Sequence, residues 1–131
     1  MVELGYEHND AFKTGYRIYI SGDTLMVNEL KEIPKRYPDH PIDLMLIHLG
    51  GTTVPSPKMS PLAVMVTMDG KQGVELMRLI KPDVTIPIHF DDYDVFASPL
   101  EDFQKLVQQE GLGGGVVYLD RGEKYQFCVR S

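Results

Sequence analysis

Apolar residues along this chain recur with two different spacings, and the alternation between them is the first guide to its architecture. Tyr16 to Ile20 (YRIYI) is a short β-branched and aromatic run between Gly15 and Gly22, the composition of a strand. Leu25 or Met26, Leu30 and Ile33 then fall at helical spacing, and Pro34 kinks or closes that segment. Asp43 to Leu49 (DLMLIHL) is almost continuously apolar, which predicts a strand covered on both faces. The following GGTTVPSPKMSPL reads as a loop, because glycines permit unusual backbone angles and prolines deny regular pairing.

Asp69 is placed to cap the next helix, with Gln72 as capping-box partner and Val74, Met77 and Ile80 as the apolar side. Gly73 weakens that helix and Lys81-Pro82 ends it. Val84 to Ile88 (VTIPI) reads as a strand whose proline favours a strand end or a sheet edge. Ser98-Pro99-Leu100-Glu101 is a further helix start, with Leu100, Phe103, Leu106 and Val107 inward and Gly111 as its stop. VVYLD and EKYQFCV, on either side of Asp120-Arg121-Gly122, predict a hairpin. Helices alternating with strands imply a mostly parallel sheet, with helices on at least one face.

The chain has 131 residues, enough for one domain, 1–131, and no repeat or linker divides it. Hydrophobic residues at 43% and charged residues at 24% describe an ordered globule rather than a disordered segment. A net charge of -6 opposes binding to nucleic acid, whose phosphates call for a basic surface. No apolar stretch has the length of a membrane span, and MVELGYEHND lacks the features of a signal peptide, so the expected location is cytoplasmic. Cys128 is the single cysteine, so an intrachain disulfide is impossible; lying among Tyr125, Phe127 and Val129, it reads as a buried thiol in a strand.

Three polar clusters follow predicted strands: SGDT at 21–24, HLGGTT at 48–53 and HFDDYD at 89–94. In α/β sheets the carboxyl ends of strands aim several loops at one crevice, so the shared position carries more weight than any single cluster. Asp23 fits a metal-bridging carboxylate, a general base or a helix N-cap. His89 fits a metal ligand or a hydrogen-bonded structural imidazole, and Asp91, Asp92 and Asp94 beside it favour ligation or its support. His48 is placed to touch substrate, assist proton transfer or hydrogen-bond the loop. His8 and His40 read as surface residues. Neither a P-loop, a GxGxxG fingerprint nor a GxSxG elbow occurs, and Cys128 has no histidine near it in sequence to activate a thiol.

YISGDT, DLMLIHLGG and VTMDGKQGVELMRLIKPDVTIPIHFDDYDVFASPLEDF, taken in order, resemble the C-terminal half of the metallo-beta-lactamase fold in its broad metal-dependent hydrolase branch. The resemblance implies half of an αββα sandwich, a single mixed sheet with helices on one face. It further implies an edge site for zinc or another divalent metal, with Asp23 as the bridging aspartate, His89 as the last metal histidine and His48 as a catalytic-site neighbour. Hydrolysis of a small-molecule substrate by metal-activated water is the implied activity. The HxHxDH motif of that family is absent from the sequence, so the lone chain is expected to be an incomplete or degenerate hydrolase, with or without its divalent metal; the alternatives are a non-catalytic structural or binding domain, or a fragment of a longer hydrolase.

The implied missing half leaves one sheet face without cover. Losing on the order of several hundred Å² of burial at roughly 25 cal/mol per Å² would cost many kcal/mol, comparable with the stability of a domain. The expected remedy is a homodimer that opposes two such faces across a two-fold axis.

Overall fold

Near the start of the chain, Asn9 and Asp10 both adopt positive φ, 49° and 59°, the conformation of a two-residue hairpin turn whose twist suits the flanking strands. The computed structural model describes residues 1–38, 41–51, 53–54, 64–90 and 100–129. The turn joins β1 (Val2–His8) to β2 (Ala11–Ile20) in an antiparallel ladder. This hairpin extends the single strand predicted at 16–20, and the Asn-Asp pair was its signal in the sequence. A register shift at Leu4/Gly5 marks a bulge, and there the backbones approach so closely that a Cβ on Gly5 would lie 1.9 Å from the Lys13 carbonyl oxygen. His8 is exposed at the hairpin end, as expected, whereas His40 lies outside the described residues.

After β2 the chain forms no continuous helix. A 3-10 segment at Asn28–Glu32 leads into the single turn α1 (Ile33–Arg36), which has Pro34 in its first turn. Proline closes the predicted helix from its N-terminal side, because its ring tolerates only the first helical positions. β3 (Leu44–His48) follows, and the loop after it carries a small ladder of β4 (Thr53–Val54) and β5 (Val64–Met65), short strands within the region read as a loop.

α2 (Gly70–Ile80) begins where predicted, with Asp69 Oδ1 accepting the Gln72 backbone N–H at 2.8 Å. Gln72 does not complete the box; its side-chain oxygen accepts the Met26 N–H at 3.3 Å instead, tethering the preceding segment to the helix. β6 (Val84–Ile88) is an edge strand, which resolves its proline. α3 (Leu100–Gln109) buries Phe103 and Val107, and Gly111 at φ 68° ends it. Ser98 and Pro99, its predicted cap, lie outside the described residues.

The sheet order is β1-β2-β3-β6, with β2, β3 and β6 parallel and β1 antiparallel, so the mixed sheet is as expected. Tyr19, Met45 and Ile47 point to one face, where Leu76, Met77, Ile80, Phe103 and Val107 of the helices cover them. Tyr16, Leu44 and Ile86 point to the other. There the predicted C-terminal hairpin is replaced by an irregular tail. Its one bridge joins Val116 to Thr85, and a turn at Asp120–Glu123 occupies the predicted bend. Val117, Leu119 and Tyr125 pack on the sheet, and Phe127 stacks on Tyr16 with ring centroids 4.4 Å apart. The tail spends its apolar residues on sheet contacts rather than on a ladder. That arrangement leaves Cys128 exposed, contrary to the buried-thiol expectation. Cover is partial, since Val2 and Ile20 on this face remain 41% and 44% exposed.

Candidate functional site

Parallel strands bring the three polar clusters to one edge, because β2, β3 and β6 all point their carboxyl ends the same way. Asp23 follows β2, His48 is the last residue of β3, and His89 comes immediately after β6. Asp23 Oδ1 lies 4.0 Å from His89 Nδ1, and the His48 and His89 rings are 5.8 Å apart by their centroids. The three residues singled out from the sequence therefore converge. Asp91, Asp92 and Asp94 lie outside the described residues.

Asp23 is not a helix cap. The first helical turn after it starts at Asn28, with Val27 at the cap position and no side-chain cap hydrogen bond. Its carboxylate is instead 60% exposed and faces His89. His89 holds φ at +61°, the left-handed region that a non-glycine residue occupies at a cost, and such strain persists where surrounding contacts over-determine it. One such contact is the Leu49 carbonyl, 3.3 Å from His89 Nδ1. A carbonyl only accepts, so this contact calls for a proton on Nδ1 and leaves Nε2 as the basic nitrogen, the arrangement that supports a metal-ligating imidazole. Leu49 also donates its N–H to the Ile88 carbonyl at 3.0 Å, which joins the ends of β3 and β6.

The other link is Ser21, which ties β2 to β3. Its N–H reaches the Leu46 carbonyl at 3.0 Å, and its Oγ accepts the His48 N–H at 2.9 Å. Partial burial holds the His48 imidazole below its ordinary value near 6.5; the Asp23 carboxylate opposes that shift and His89 adds to it. A ring so placed is neutral at pH 7 and able to accept a proton. Ser21 and Leu49 were not singled out from the sequence. Their signal lay in position alone: Ser21 opens the cluster at 21–24 and Leu49 lies within the cluster at 48–53.

Carboxylate and imidazole are the donor types of zinc and related metal centres, so Asp23 and His89 fit part of such a site. Among the described residues no group of three or more His, Cys, Asp and Glu is placed to hold an ion. A catalytic zinc commonly takes three protein donors, so the described donor set is short. Beside His89 a cleft of about 410 Å³ is lined by Phe90, Leu100, Gln104, Tyr118 and Arg121. Burial raises the Tyr118 phenol above its ordinary value, so it stays protonated there and able to donate.

The structure is thus a mixed α/β unit whose parallel strands deliver an aspartate and two histidines to one sheet edge. No protein-family model matches the chain. A UPF0173 metal-dependent hydrolase of Archaeoglobus fulgidus is 33% identical over 113 residues, covering 86% of this chain and 42% of the relative. One from Thermococcus onnurineus is 30% identical over 109 residues, 83% of this chain and 41% of the relative. Among solved structures, an isothiocyanate hydrolase from Delia radicum gut bacteria superposes with a TM-score of 0.70 at 14% identity, over 90% of this chain and 42% of that one. A metallo hydrolase from Ignicoccus hospitalis does so with a TM-score of 0.63 at 20% identity, over 97% and 52%.

Over most of its length the chain is similar in sequence to metal-dependent hydrolases, and it shares its fold with a metallo hydrolase, as the resemblance of its motifs implied. It spans about two fifths of the length of the metal-dependent hydrolases it matches. Among the described residues no helix is long and apolar enough to cross a membrane.

Proposed function

We propose that this chain carries the Asp23–His89 part of a divalent-metal hydrolase site, with zinc as the metal its donor types suit. The observation that carries the reading is the meeting of the Asp23 carboxylate and the His89 ring at one sheet edge, Oδ1 to Nδ1 4.0 Å, with Nδ1 tied to the Leu49 carbonyl so that Nε2 is the nitrogen left for the ion. When bound, the metal would supply an activated water for attack on an ester, amide or phosphodiester. Asp23 and His89 would hold that ion, and neutral His48 would accept or relay a proton at the same edge. The cleft beside His89 holds a small-molecule substrate, with Phe90 and Leu100 against its apolar part and Tyr118, Gln104 and Arg121 reaching its polar groups.

The donors this pair lacks come from the polypeptide that covers the exposed strip of Val2 and Ile20, which ends at Ser21 beside the site. A second copy is the partner we propose, because its own Asp23 and His89 would bring the available donors to two carboxylates and two imidazoles, enough for the three protein donors of a catalytic zinc with one position left for water. Titration of the purified chain with zinc, followed by calorimetry, tests the metal reading. Asp23→Asn and His89→Ala should each weaken binding by about tenfold or more. Unchanged affinity in both variants would sink it.

A further inference from the structure

Ser21 makes more contacts than a turn residue needs, and the direction of each can be worked out. Its hydroxyl has one proton to give, and the carbonyl of Gly22 lies 3.0 Å from Oγ as an acceptor. The same Oγ accepts the backbone N–H of His48 at 2.9 Å. A third contact joins it to His48 Nδ1 at 3.4 Å. With its proton committed to Gly22, Oγ meets that ring nitrogen as an acceptor, and the contact is favourable only when Nδ1 carries the hydrogen.

We propose that Ser21 is a positioning residue that fixes His48 as the Nδ1–H tautomer, so that Nε2 presents its lone pair at the edge shared with Asp23 and His89. The use of that lone pair in hydrolysis rests on the proposed function; the tautomer itself does not. One hydroxyl therefore performs two tasks. It extends the join between β2 and β3 past the last strand pair, Ile20 with Leu46, and it selects which nitrogen of the neighbouring histidine is basic. His89 is set in the same sense by a different acceptor, the Leu49 carbonyl, so on both rings Nε2 is the nitrogen left with its lone pair.

The test is long-range proton–nitrogen correlation NMR on the nitrogen-labelled, metal-free chain at pH 8, where histidine is neutral and the tautomer is read directly. In the wild-type chain His48 should show a protonated Nδ1 and an unprotonated Nε2. Ser21→Ala should lose that preference, moving the two ring nitrogens toward each other in shift or exchanging their identities, whereas Ser21→Thr, which keeps a hydroxyl, should restore it. Amide spectra of α2 and α3 report whether each variant keeps its fold. Should Ser21→Ala fail to fold, the wild-type and Ser21→Thr spectra decide the matter by whether both show protonated Nδ1. An Nε2–H tautomer in the wild type, or a folded Ser21→Ala variant with an unchanged pattern, would overturn the proposal. Because no metal is added, the result stands or falls separately from zinc binding.

Discussion

Gly73 lies within α2, where glycine costs about 1 kcal/mol relative to alanine, so helix propensity alone makes Gly73→Ala a stabilising change. The structure reverses the sign. A Cβ at this position would sit 2.7 Å from Leu49 Cδ2, 3.3 Å from Phe103 Cε2 and 3.4 Å from Ile47 Cδ1. Those three residues are at most 2% exposed, so their side chains have no solvent to move into. Adding a methyl group to a filled core costs about 1–3 kcal/mol, and the propensity gain offsets roughly 1 of it. The expected result is a net loss of about 1 kcal/mol, read as a lower urea midpoint and a melting temperature lower by roughly 4 °C. Glu75→Ala, on the exposed side of the same helix, is the control and should change little. The strain should also reach the site. Leu49 is the residue whose carbonyl holds His89 Nδ1, so the His89 ring signals should shift in Gly73→Ala and not in Glu75→Ala. A Gly73→Ala variant more stable than wild type by about 1 kcal/mol would refute the close approach of α2 to the sheet.

Other consequences are open to measurement. Asp43 Oδ2 accepts the buried Arg17 N–H at 2.6 Å, so Asp43→Ala should cost about 1–3 kcal/mol in urea unfolding by leaving that donor unpaired; a loss below 0.5 kcal/mol would show the bond to be dispensable. His48 is held below its ordinary value near 6.5, so the unfolded chain binds a proton there before the folded chain does as pH falls. Its contribution to stability is complete above about 6.5 and is lost as pH drops through the folded-state value, and His48→Gln should flatten that part of the stability–pH curve; an identical slope in the variant would contradict the assignment. For the proposed pairing across the Val2 and Ile20 strip, light scattering should give a dimer mass, and Ile20→Glu should give a monomer; a wild-type monomer at low micromolar concentration would exclude a second copy as the partner.

Much of this arrangement was legible along the chain because it depends on local rules. The apolar run at 44–48 had the β-branched and leucine-rich character of a strand buried on both faces, and Asp69 capped its helix because a carboxylate satisfies a free helix N–H wherever one begins. The same rules failed where a residue had a competing tertiary contact. Gln72 gave its side chain to Met26 rather than to the capping box, and the tail after Val116 packed on the sheet instead of pairing with itself, which turned Cys128 outward. The hairpin at the start was missed although Asn9-Asp10 and the alternation of Val2, Leu4 and Tyr6 with Glu3, Gly5 and Glu7 announced it.

The sequence by itself determined β2, β3, α2, β6 and α3, the mostly parallel sheet they imply and which polar residues follow strand ends, because hydrophobic period and turn chemistry act over a few residues. Only the tertiary structure decided what those residues face. Asp23 could have capped a helix as readily as approached a histidine, and nothing local distinguishes the two. The choice was made by parallel pairing of β2, β3 and β6, which brings residues 23, 48 and 89 to one edge, and by Ser21 and Leu49, whose hydrogen bonds orient rings 27 and 40 residues away.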